Sequence, residues 1–296
     1  MSHLVVCPVC GNDEAVKLFE KQGCTFVQCA YDKLVYINPQ PDKEELQEIY
    51  DTYGKEFYVL PKSIATTGHY PDYRRRFLDF RRTNRLLEIG AAAGGFLGQC
   101  RNDGWETYGV ELSVPSSKFA REQKGLNVMT GTIHDAEYPN EIFDVAVAWQ
   151  TLEHVLNPRE VITEIYRVLR SGGFFVMSVP YWKGLSIRLI KEKYRYVGRD
   201  HLFYFSPQNL YKMLNDIGFS KICSKTGGFN PIVCYQDMRG LPKRSEGEYT
   251  RQNKVSQVMV SQFRTNRFLK VVHKVYYSVI ERLNLGDTLF AEGVKE

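Results

Sequence analysis

The sequence predicts an α/β fold, in which a mainly parallel sheet carries helices on both faces. From Arg85 onwards, short apolar runs alternate with segments whose apolar residues recur at helical spacing, an order typical of a parallel sheet. The first of these runs is followed by a loop of glycine and alanine, residues 90–95, and then by a segment that can turn helical. Ligands of such open sheets bind beyond the carboxyl ends of the strands, which is where this loop falls.

The loop of small residues is the centre of the predicted binding site. It connects a strand at 86–89 with a helix that begins near Phe96. Small side chains let the backbone approach a ligand closely, and a helix N-terminus offers N–H groups that have no partner inside the helix. Because a glycine loop alone is a weak signal, the residues around it must indicate which ligand it suits.

Two acids flank this loop on neighbouring strands. Glu88 comes just before the glycines, and Glu111 ends the next predicted strand, 108–111. An acid at the tip of the second strand of such a unit can bind both hydroxyls of a ribose. Glu88 would repel the pyrophosphate of a dinucleotide, but it suits a ligand with positive charge, such as an amino-acid group or a sulfonium. The pair therefore predicts S-adenosylmethionine (SAM) as the ligand.

The stretch 88–94 resembles motif I of the class I SAM-dependent methyltransferases, (D/E)-x-G-x-G-x-G, with Ala92 in place of one glycine. We expect alanine to require only a modest adjustment of the loop. The resemblance covers residues 84–230 and the last ten residues, and it implies an enzyme with a Rossmann-like, seven-stranded sheet. The residues expected to contact SAM are Glu88, Gly90, Ala92, Gly94, Glu111, Leu112, Thr132, Ile133 and Gln150.

The last strand of the predicted sheet, within residues 284–296, is separated from the others by a helical insertion at 231–283. Apolar residues recur at helical spacing over 250–284, and these residues include no glycine or proline. We interpret this insertion as a lid packed on its own domain; a homodimer face or a membrane-surface helix are the alternatives. The expected strands are 86–89, 108–111, 127–129, 142–149, 174–179, 219–224 and 286–291.

The first 40 residues predict a small zinc-ribbon-like module. Cys7 and Cys10 form a C-x-x-C knuckle that can bind one zinc ion, and Cys29 supplies a third thiolate. Asp32 stands where a ribbon has its fourth cysteine; a carboxylate is an acceptable zinc ligand, and Cys24 is the alternative. The segment resembles the cysteine-rich module that precedes many bacterial methyltransferases. The competing interpretation is a ribbon without metal, stabilised by packing of residues 35–37. Residues 41–83 are interpreted as a linker and lid.

Composition indicates a globular protein of a reducing compartment. Of the 296 residues, 43% are hydrophobic and 25% are charged, and a net charge of +5 is too small to indicate a nucleic-acid binder. No signal pattern begins the chain and no apolar run approaches ~18 residues, so we expect a cytoplasmic protein without a transmembrane span. Four of the seven cysteines fall in the first 30 residues, which favours a metal site over disulfides.

Two histidines are candidates for a general base. His154 follows the strand at 142–149, and His201 lies in an aromatic, basic segment, 182–206, interpreted as a loop at the mouth of the site. A base is needed only where the acceptor is a hydroxyl, an acidic carbon or a protonated amine. Alternatively, His154 orders Glu153 or the cofactor, and His201 anchors the loop. In quinone O-methyltransferases of similar pattern, a Glu-His pair and a further acid hold a metal; that further position is Gln150 here, which does not favour one.

The predicted function is methyl transfer from SAM to an oxygen or carbon of a small molecule, such as a sugar, a glycan or lipid precursor, or a quinone-like acceptor. Enzymes that methylate exocyclic amines of nucleic-acid bases carry (D/N)-P-P-(Y/F) after the fourth strand, where this chain has Trp149 to Leu152. Nucleic acid is therefore disfavoured as the partner. The alternatives are an rRNA or tRNA methyltransferase whose zinc module binds RNA, and a SAM-binding scaffold without turnover.

Overall fold

The structure, a computed structural model, describes residues 3–53, 71–240, 275–276 and 278–296, and it contains two sheets. The strands are β1 (Ala15–Lys21), β2 (Cys24–Cys29), β3 (Val35–Ile37), β4 (Arg85–Ile89), β5 (Glu106–Glu111), β6 (Asn127–Thr130), β7 (Phe143–Trp149), β8 (Leu169–Pro180), β9 (Phe203–Tyr204), β10 (Phe219–Gly227) and β11 (Thr288–Lys295). The helices are α1 (Lys43–Tyr53), α2 (Pro71–Arg76), α3 (Gly95–Asn102), α4 (Val114–Lys124), α5 (Pro158–Val168), α6 (Leu185–Ile190), α7 (Pro207–Ile217) and α8 (Pro231–Met238).

The larger sheet confirms the predicted architecture. Its seven strands have the order β10-β11-β8-β7-β4-β5-β6. Strands β4 to β8 run parallel, whereas β11 is antiparallel to both of its neighbours, β8 and β10. The chain order reverses between β4 and β7, because β4 lies between β5 and β7. That reversal is the place at which open α/β sheets bind their ligands.

Helices cover both faces of this sheet, and β7 shows why. All seven residues of β7 are buried. Ala146 and Ala148 belong to one apolar core, together with residues of α5 and α7. Val145 and Val147 belong to the other core, together with residues of α3 and α4. Successive side chains of a strand point to opposite faces, so a strand that is buried along its whole length must be covered on each side.

Local sequence signals fix where the helices begin and end. The Ser113 hydroxyl accepts a hydrogen bond from the backbone N–H of Ser116 and caps α4, which ends at Gly125 with a φ of 61°. Ser206 and Asn209 form a capping box at the start of α7, which ends at Gly218 with a φ of 116°. These caps place the loops before α4 and α7 at defined ends of the strands.

The smaller sheet joins the N-terminal region to a distant part of the chain. Its order is β1-β2-β3-β9, and β9 pairs with β3 through Val35–Tyr204 and Tyr36–Phe203. The interpretation of 182–206 as a loop was therefore incomplete, because this segment contains both α6 and β9. Buried residues of the N-terminal region share one core with a face of the larger sheet. The predicted domain boundary near residue 40 stays a prediction.

Most of the predicted helical insertion lies outside the described residues, which include α8 and a helical segment at 278–282 but not 241–274. The predicted linker and lid is described only at 41–53 and 71–83. Among the helices that the structure describes, none is long and apolar enough to cross a membrane.

Candidate functional site

The loop between β4 and α3 has the backbone of a ligand-binding turn. Gly90, Ala92 and Gly94 all have positive φ, at 71°, 46° and 70°. A Cβ atom on Gly90 would lie 2.4 Å from the Thr151 hydroxyl, so glycine is required there for space as well as for conformation. Ala92 adopts a left-handed conformation that costs an L-residue roughly 1–2 kcal/mol. The loop therefore accommodates Ala92 where the motif has glycine, at a cost in local backbone strain.

Glu111 ends β5 directly beside this loop. Its carboxylate accepts hydrogen bonds from the backbone N–H of Ala92 and of Ser113, each at 2.8 Å. Burial raises the pKa of Glu111, and the two N–H groups act in the opposite direction. Each carboxylate oxygen retains a second lone pair, so Glu111 can still accept the two hydroxyls of a ribose. The same residue therefore orders the loop and presents acceptors to a ligand.

Glu88 lies beneath the loop rather than in front of it. Its side chain is 3% exposed, and it accepts a hydrogen bond from the backbone N–H of Leu97, in the first turn of α3. Burial nevertheless raises the pKa of Glu88 well above its usual range, and the nearby charge of Glu111 adds to this. Oε2 of Glu88 has no hydrogen-bond partner among the described residues. A contact of Glu88 with the amino-acid part of SAM stays a prediction.

The remaining predicted cofactor residues follow the carboxyl ends of the same strands. Gln150 follows β7 and is exposed; its backbone N–H donates to Ser178 O at 2.9 Å. Thr132 donates from its backbone N–H and its hydroxyl to Asp135 Oδ2, at 2.8 and 2.7 Å. Ile133 is buried, and Leu112 is half-buried next to Glu111. Because β4, β5, β6 and β7 are parallel neighbours, these residues lie along one edge of the sheet.

His154 is held in one tautomer. Its Nδ1 lies 2.5 Å from the backbone carbonyl oxygen of Asp200. A carbonyl oxygen can only accept, so Nδ1 carries the proton and Nε2 is the basic nitrogen of the neutral ring. Burial lowers the pKa of His154, while Asp200 acts in the opposite direction. His154 is therefore neutral at physiological pH and chemically competent to accept a proton.

The structure brings the second predicted histidine, His201, against the first. The two rings meet edge to face with centroids 4.7 Å apart. Glu153 completes the group: one ligand atom from each of the three residues lies within 4.8 Å of the others, and His154 Nε2 is 3.8 Å from Glu153 Oε1. Gln150 is not part of this group. Two histidines that are 47 positions apart in the sequence thus share one small volume.

Glu153 was not predicted as a site residue, and its environment is unusual. The residue is fully buried, and within the part of the chain that the structure describes neither carboxylate oxygen has a hydrogen-bond partner. Burial raises its pKa well above the usual range, and Asp200 adds to this. No local sequence signal indicates such burial, because Glu153 meets a distant part of the chain: Leu202 N–H donates to the Glu153 backbone carbonyl at 2.7 Å.

Comparison with known proteins agrees with this geometry. A family model described as a methyltransferase domain matches residues 64–224, which is more than half of the chain. The chain belongs to this methyltransferase family. One curated relative, the ubiquinone biosynthesis O-methyltransferase of Cereibacter sphaeroides (strain ATCC 17025 / ATH 2.4.3), is 25% identical over 160 residues, covering 50% of this methyltransferase and 65% of the relative. The demethylmenaquinone methyltransferase of Symbiobacterium thermophilum is 23% identical over 158 residues, covering 48% and 62%. The alignments thus span less than two thirds of these relatives.

Solved structures show the same fold for the methyltransferase. The phosphoethanolamine N-methyltransferase 2 of Haemonchus contortus, in complex with SAM, matches with a TM-score of 0.56 and 16% identity, covering 95% of this chain and 71% of that one. A SAM-dependent methyltransferase of Thermotoga maritima matches with a TM-score of 0.50 and 18% identity, covering 85% and 100%. At these identities the similarity establishes the class I methyltransferase fold.

The N-terminal cysteines of the methyltransferase form the predicted cluster. Cys7, Cys10, Cys29 and Asp32 each place a ligand atom within 4.8 Å of the others. The Cys10 and Cys29 sulfurs are 3.5 Å apart, and the Cys7 sulfur is 3.1 Å from Asp32 Oδ2. Sulfurs that bind one tetrahedral zinc lie about 3.8 Å apart, so these positions fit a zinc ion after small shifts. Cys24 is not in the cluster, because it begins β2 and lies about 16 Å along the strand from Cys29.

Without a cation, Cys7 and Cys10 favour the protonated thiol, whereas Asp32 stays ionised. Burial raises the pKa of Cys7 and brings that of Cys10 to about 11. Burial also acts to raise the pKa of Asp32, but the N–H of Leu34 and the thiol groups outweigh it, so that this pKa is lowered. Asp32 Oδ1 accepts from Leu34 N–H at 2.9 Å, which directs Oδ2 towards the cysteines. A divalent cation would stabilise the thiolates of these cysteines.

Replacing Glu153 with glutamine is expected to raise the free energy of unfolding at mildly alkaline pH and to flatten its pH dependence. The pKa of Glu153 is raised in the folded chain, so the folded state binds this proton more tightly than the unfolded state. The resulting stabilisation is complete below the unfolded pKa and is lost as pH rises towards the folded pKa, by up to about 1.4 kcal/mol per pH unit. Urea unfolding at several pH values measures the slope.

The matched control for this prediction is Glu122→Gln, because Glu122 is an exposed glutamate of α4. The control should leave the slope of the wild type unchanged. Glu88, whose raised pKa has the same sign, remains in both variants and accounts for a residual slope. A slope of the Glu153→Gln variant equal to that of the wild type would show that Glu153 is ionised in the folded chain.

Proposed function

We propose that this chain is an enzyme that transfers the methyl group of SAM to an oxygen or carbon of a small molecule. The single observation that carries the proposal is the position of Glu111, which lies beside a loop of three positive-φ residues at the switch point of the sheet. Its carboxylate can accept both ribose hydroxyls, and the glycine loop leaves room for the adenosyl group and the methionine part. Membership of the methyltransferase family supports the same cofactor.

Glu88 is proposed to act on the charged part of SAM from below the loop. Its high pKa reflects a buried carboxyl with an oxygen that has no hydrogen-bond partner among the described residues. A ligand with an ammonium or sulfonium group nearby would favour the ionised form and so recover part of the burial cost. SAM binding is therefore expected to be coupled to deprotonation of Glu88.

The group of Glu153, His154 and His201 is proposed to remove the proton of the acceptor. The Nε2 atom of His154 is unprotonated in the tautomer set by Asp200 and can act as a base. His154 follows β7, whose carboxyl end lies beside that of β4 and the glycine loop. The proton of the acceptor would pass to Nε2, and the resulting imidazolium would lie 3.8 Å from Glu153 Oε1, whose lone pairs can stabilise the positive charge while the Glu153 carboxyl keeps its own proton. This arrangement suits a hydroxyl acceptor. Methyl transfer itself is an in-line displacement, in which alignment supplies much of the rate.

An apolar, ring-containing acceptor is the proposed substrate class. The ring of Tyr196 stacks over His201 with centroids 6.5 Å apart and planes at 9°, and Trp182 and Tyr204 meet edge to face at 5.5 Å nearby. Planar aromatic side chains favour a planar, apolar ligand. One relative described above is named a ubiquinone biosynthesis O-methyltransferase and another a demethylmenaquinone methyltransferase, which favours a quinone-like acceptor over a sugar.

The function is tested with the full chain and SAM that carries a labelled methyl group. The acceptor panel contains hydroxylated quinone precursors, nucleotide sugars, and total tRNA and rRNA. We expect label in the quinone-like fraction. Label in RNA would favour the rRNA or tRNA alternative. SAM binding by calorimetry without transfer to any acceptor would favour the scaffold, and the absence of SAM binding would contradict all three.

A structural zinc ion is the second part of the proposal. Cys7, Cys10, Cys29 and Asp32 would bind it, and the ion would keep the thiolates ionised and crosslink the turn at Cys7 to the end of β2. We expect one zinc per purified chain, loss of the metal in Cys29→Ser, and a lower midpoint of thermal unfolding after treatment with a chelator. Cys24→Ser is the matched control and should keep its zinc. Purified protein without metal after growth in zinc would contradict the proposal.

A further inference from the structure

Helix α8 carries a stripe of exposed apolar side chains. Ile232, Tyr235 and Met238 recur at every third residue and are between 52% and 56% exposed. The opposite side of the helix is anchored, because Cys234 is buried and the Asp237 carboxylate pairs with Arg195 at 2.7 Å. The exposed stripe is therefore not the result of a loosely attached helix. It is an apolar face with no cover among the described residues.

The segment at 275–283 carries a second stripe. Val275, Val279 and Leu283 recur at every fourth residue and are between 46% and 60% exposed. Ile280, on the other side of the helical segment, is buried. A third element, α6, contributes Leu189, which is 57% exposed.

These three elements are neighbours. Helix α6 packs against α8. Tyr276 Oη donates to the carbonyl oxygen of Phe229 at 3.1 Å, just before α8, and Leu185 N–H donates to Leu285 O at 3.0 Å. We refer to the exposed side chains together as the apolar patch, which consists of Leu189, Ile232, Tyr235, Met238, Val279 and Leu283. Extended apolar surface of this kind marks a protein or membrane interaction site.

Exposed cations accompany the apolar patch on the same elements. In the segments 183–193, 231–240 and 275–283, no basic residue makes an ion pair with another described residue. These segments also contain three acids: Asp237, which is neutralised by Arg195, and Glu192 and Glu281, so six basic residues stand against two other acids. The exposed basic residues are Lys183, Arg188, Lys191, Lys193, Arg239 and Arg282.

We propose that the apolar patch and its cations bind the surface of an anionic phospholipid membrane. Apolar side chains that enter the boundary between headgroups and acyl chains, flanked by lysine and arginine, are the chemistry that such a surface recognises. A second copy of this chain is a poorer occupant. A two-fold dimer would bring the same cations of both copies together, and like charges at an interface are repulsive.

The patch also lies next to the candidate site. Tyr196 follows Arg195, which is bonded to α8, and the Tyr196 ring stacks over His201. Tyr196 is 52% exposed, so it spans from the surface to the histidine pair. An apolar acceptor could therefore reach the site from a bilayer without crossing water. This last step rests on the proposed function, whereas membrane binding does not.

Vesicle co-sedimentation of the full chain tests the proposal. We expect binding to vesicles of phosphatidylcholine with phosphatidylglycerol, weak binding to phosphatidylcholine alone, and release at high salt. Lys191→Gln/Lys193→Gln should lower the partition coefficient about 25-fold, at about fivefold per charge. Ile232→Ser/Met238→Ser should lower it at least about tenfold. Tyr211→Ser is the matched control, because Tyr211 is 55% exposed on α7, and it should bind as the wild type does.

Thermal unfolding of each variant verifies that it is folded, and a folded variant that retains full binding would overturn the proposal. Absence of sedimentation with the anionic vesicles would also overturn it. If the serine variant instead dissociates a dimer in analytical ultracentrifugation, a second copy covers the patch and the membrane proposal is wrong. Loss of SAM binding with intact vesicle binding would contradict the proposed function alone.

Discussion

Glu111→Ala is expected to lower the affinity for SAM by at least about 100-fold. The variant loses an ionised acceptor that can make two charge-assisted hydrogen bonds to the ribose, each contributing roughly 1.5–3 kcal/mol. It also removes the acceptor for the backbone N–H of Ala92 and of Ser113, so the loop loses part of its order before the ligand arrives. Isothermal titration calorimetry with SAM and with S-adenosylhomocysteine measures both affinities.

Two variants separate these contributions. Glu111→Gln keeps one carbonyl acceptor for a backbone N–H but removes the charge, so it should bind SAM more weakly than the wild type and better than Glu111→Ala. Glu106→Ala is the control: Glu106 begins the same strand, is half exposed and pairs with Arg85. The control should bind SAM as the wild type does. An affinity of Glu111→Ala within threefold of the wild type would place the ribose elsewhere, with threefold being about 0.65 kcal/mol.

His154→Ala is expected to slow methyl transfer by about 10²–10⁴-fold while SAM affinity changes little. The reason is the tautomer set by Asp200, which leaves Nε2 as the nitrogen that accepts the proton. The pKa of His154 is lowered by burial, so the acid limb of the pH profile of kcat/KM should lie below the usual histidine value of 6.5. Single-turnover rates with labelled SAM, measured across pH, provide both results.

His154→Asn distinguishes a base from a structural residue. Its side-chain amide can still donate to the Asp200 carbonyl, but it cannot accept a proton at neutral pH. A slow His154→Asn and a lost acid limb would identify His154 as the base; an active His154→Asn would assign it a structural role. His201→Ala is expected to lower the rate less, because His201 contacts the His154 ring and acts on its position. Full activity in both alanine variants would contradict the proposed base.

The seven-stranded sheet could be predicted because its signals are local. Each strand is a short apolar run, and Ser113, Ser206 and Gly218 mark helix ends within a few residues of where they act. The loop at Gly90 and the acid at Glu111 are equally local. Strand β9 could not be predicted in this way: it is two residues long, and its pairing with β3 joins positions more than 160 residues apart.

The candidate site likewise combines local features that could be predicted with long-range contacts that could not. The positions of His154 and His201 in the sequence predicted that both lie near the mouth of the site. Their contact, and the burial of Glu153 beside them, depend on how the chain at β9 packs against the loop after β7. For Glu88 the sequence indicated the strand and the position before the loop, but the burial of its carboxyl near the backbone of Leu97 is not visible in a motif. Burial that is produced by residues distant in the sequence can be determined only from the folded structure.

The pairing of β9 with β3 means that the N-terminal sheet and the segment that carries His201 cannot be engineered separately. His201 lies two residues before β9, so a displacement of the cysteine-bearing sheet would be transmitted to the imidazole pair. A shortened protein that begins after residue 40 would leave the backbone of Phe203 and Tyr204 without the strand that now satisfies it, and an uncovered strand edge favours aggregation. For expression and crystallisation, the N-terminal residues should therefore be kept together with the segment that carries the candidate site.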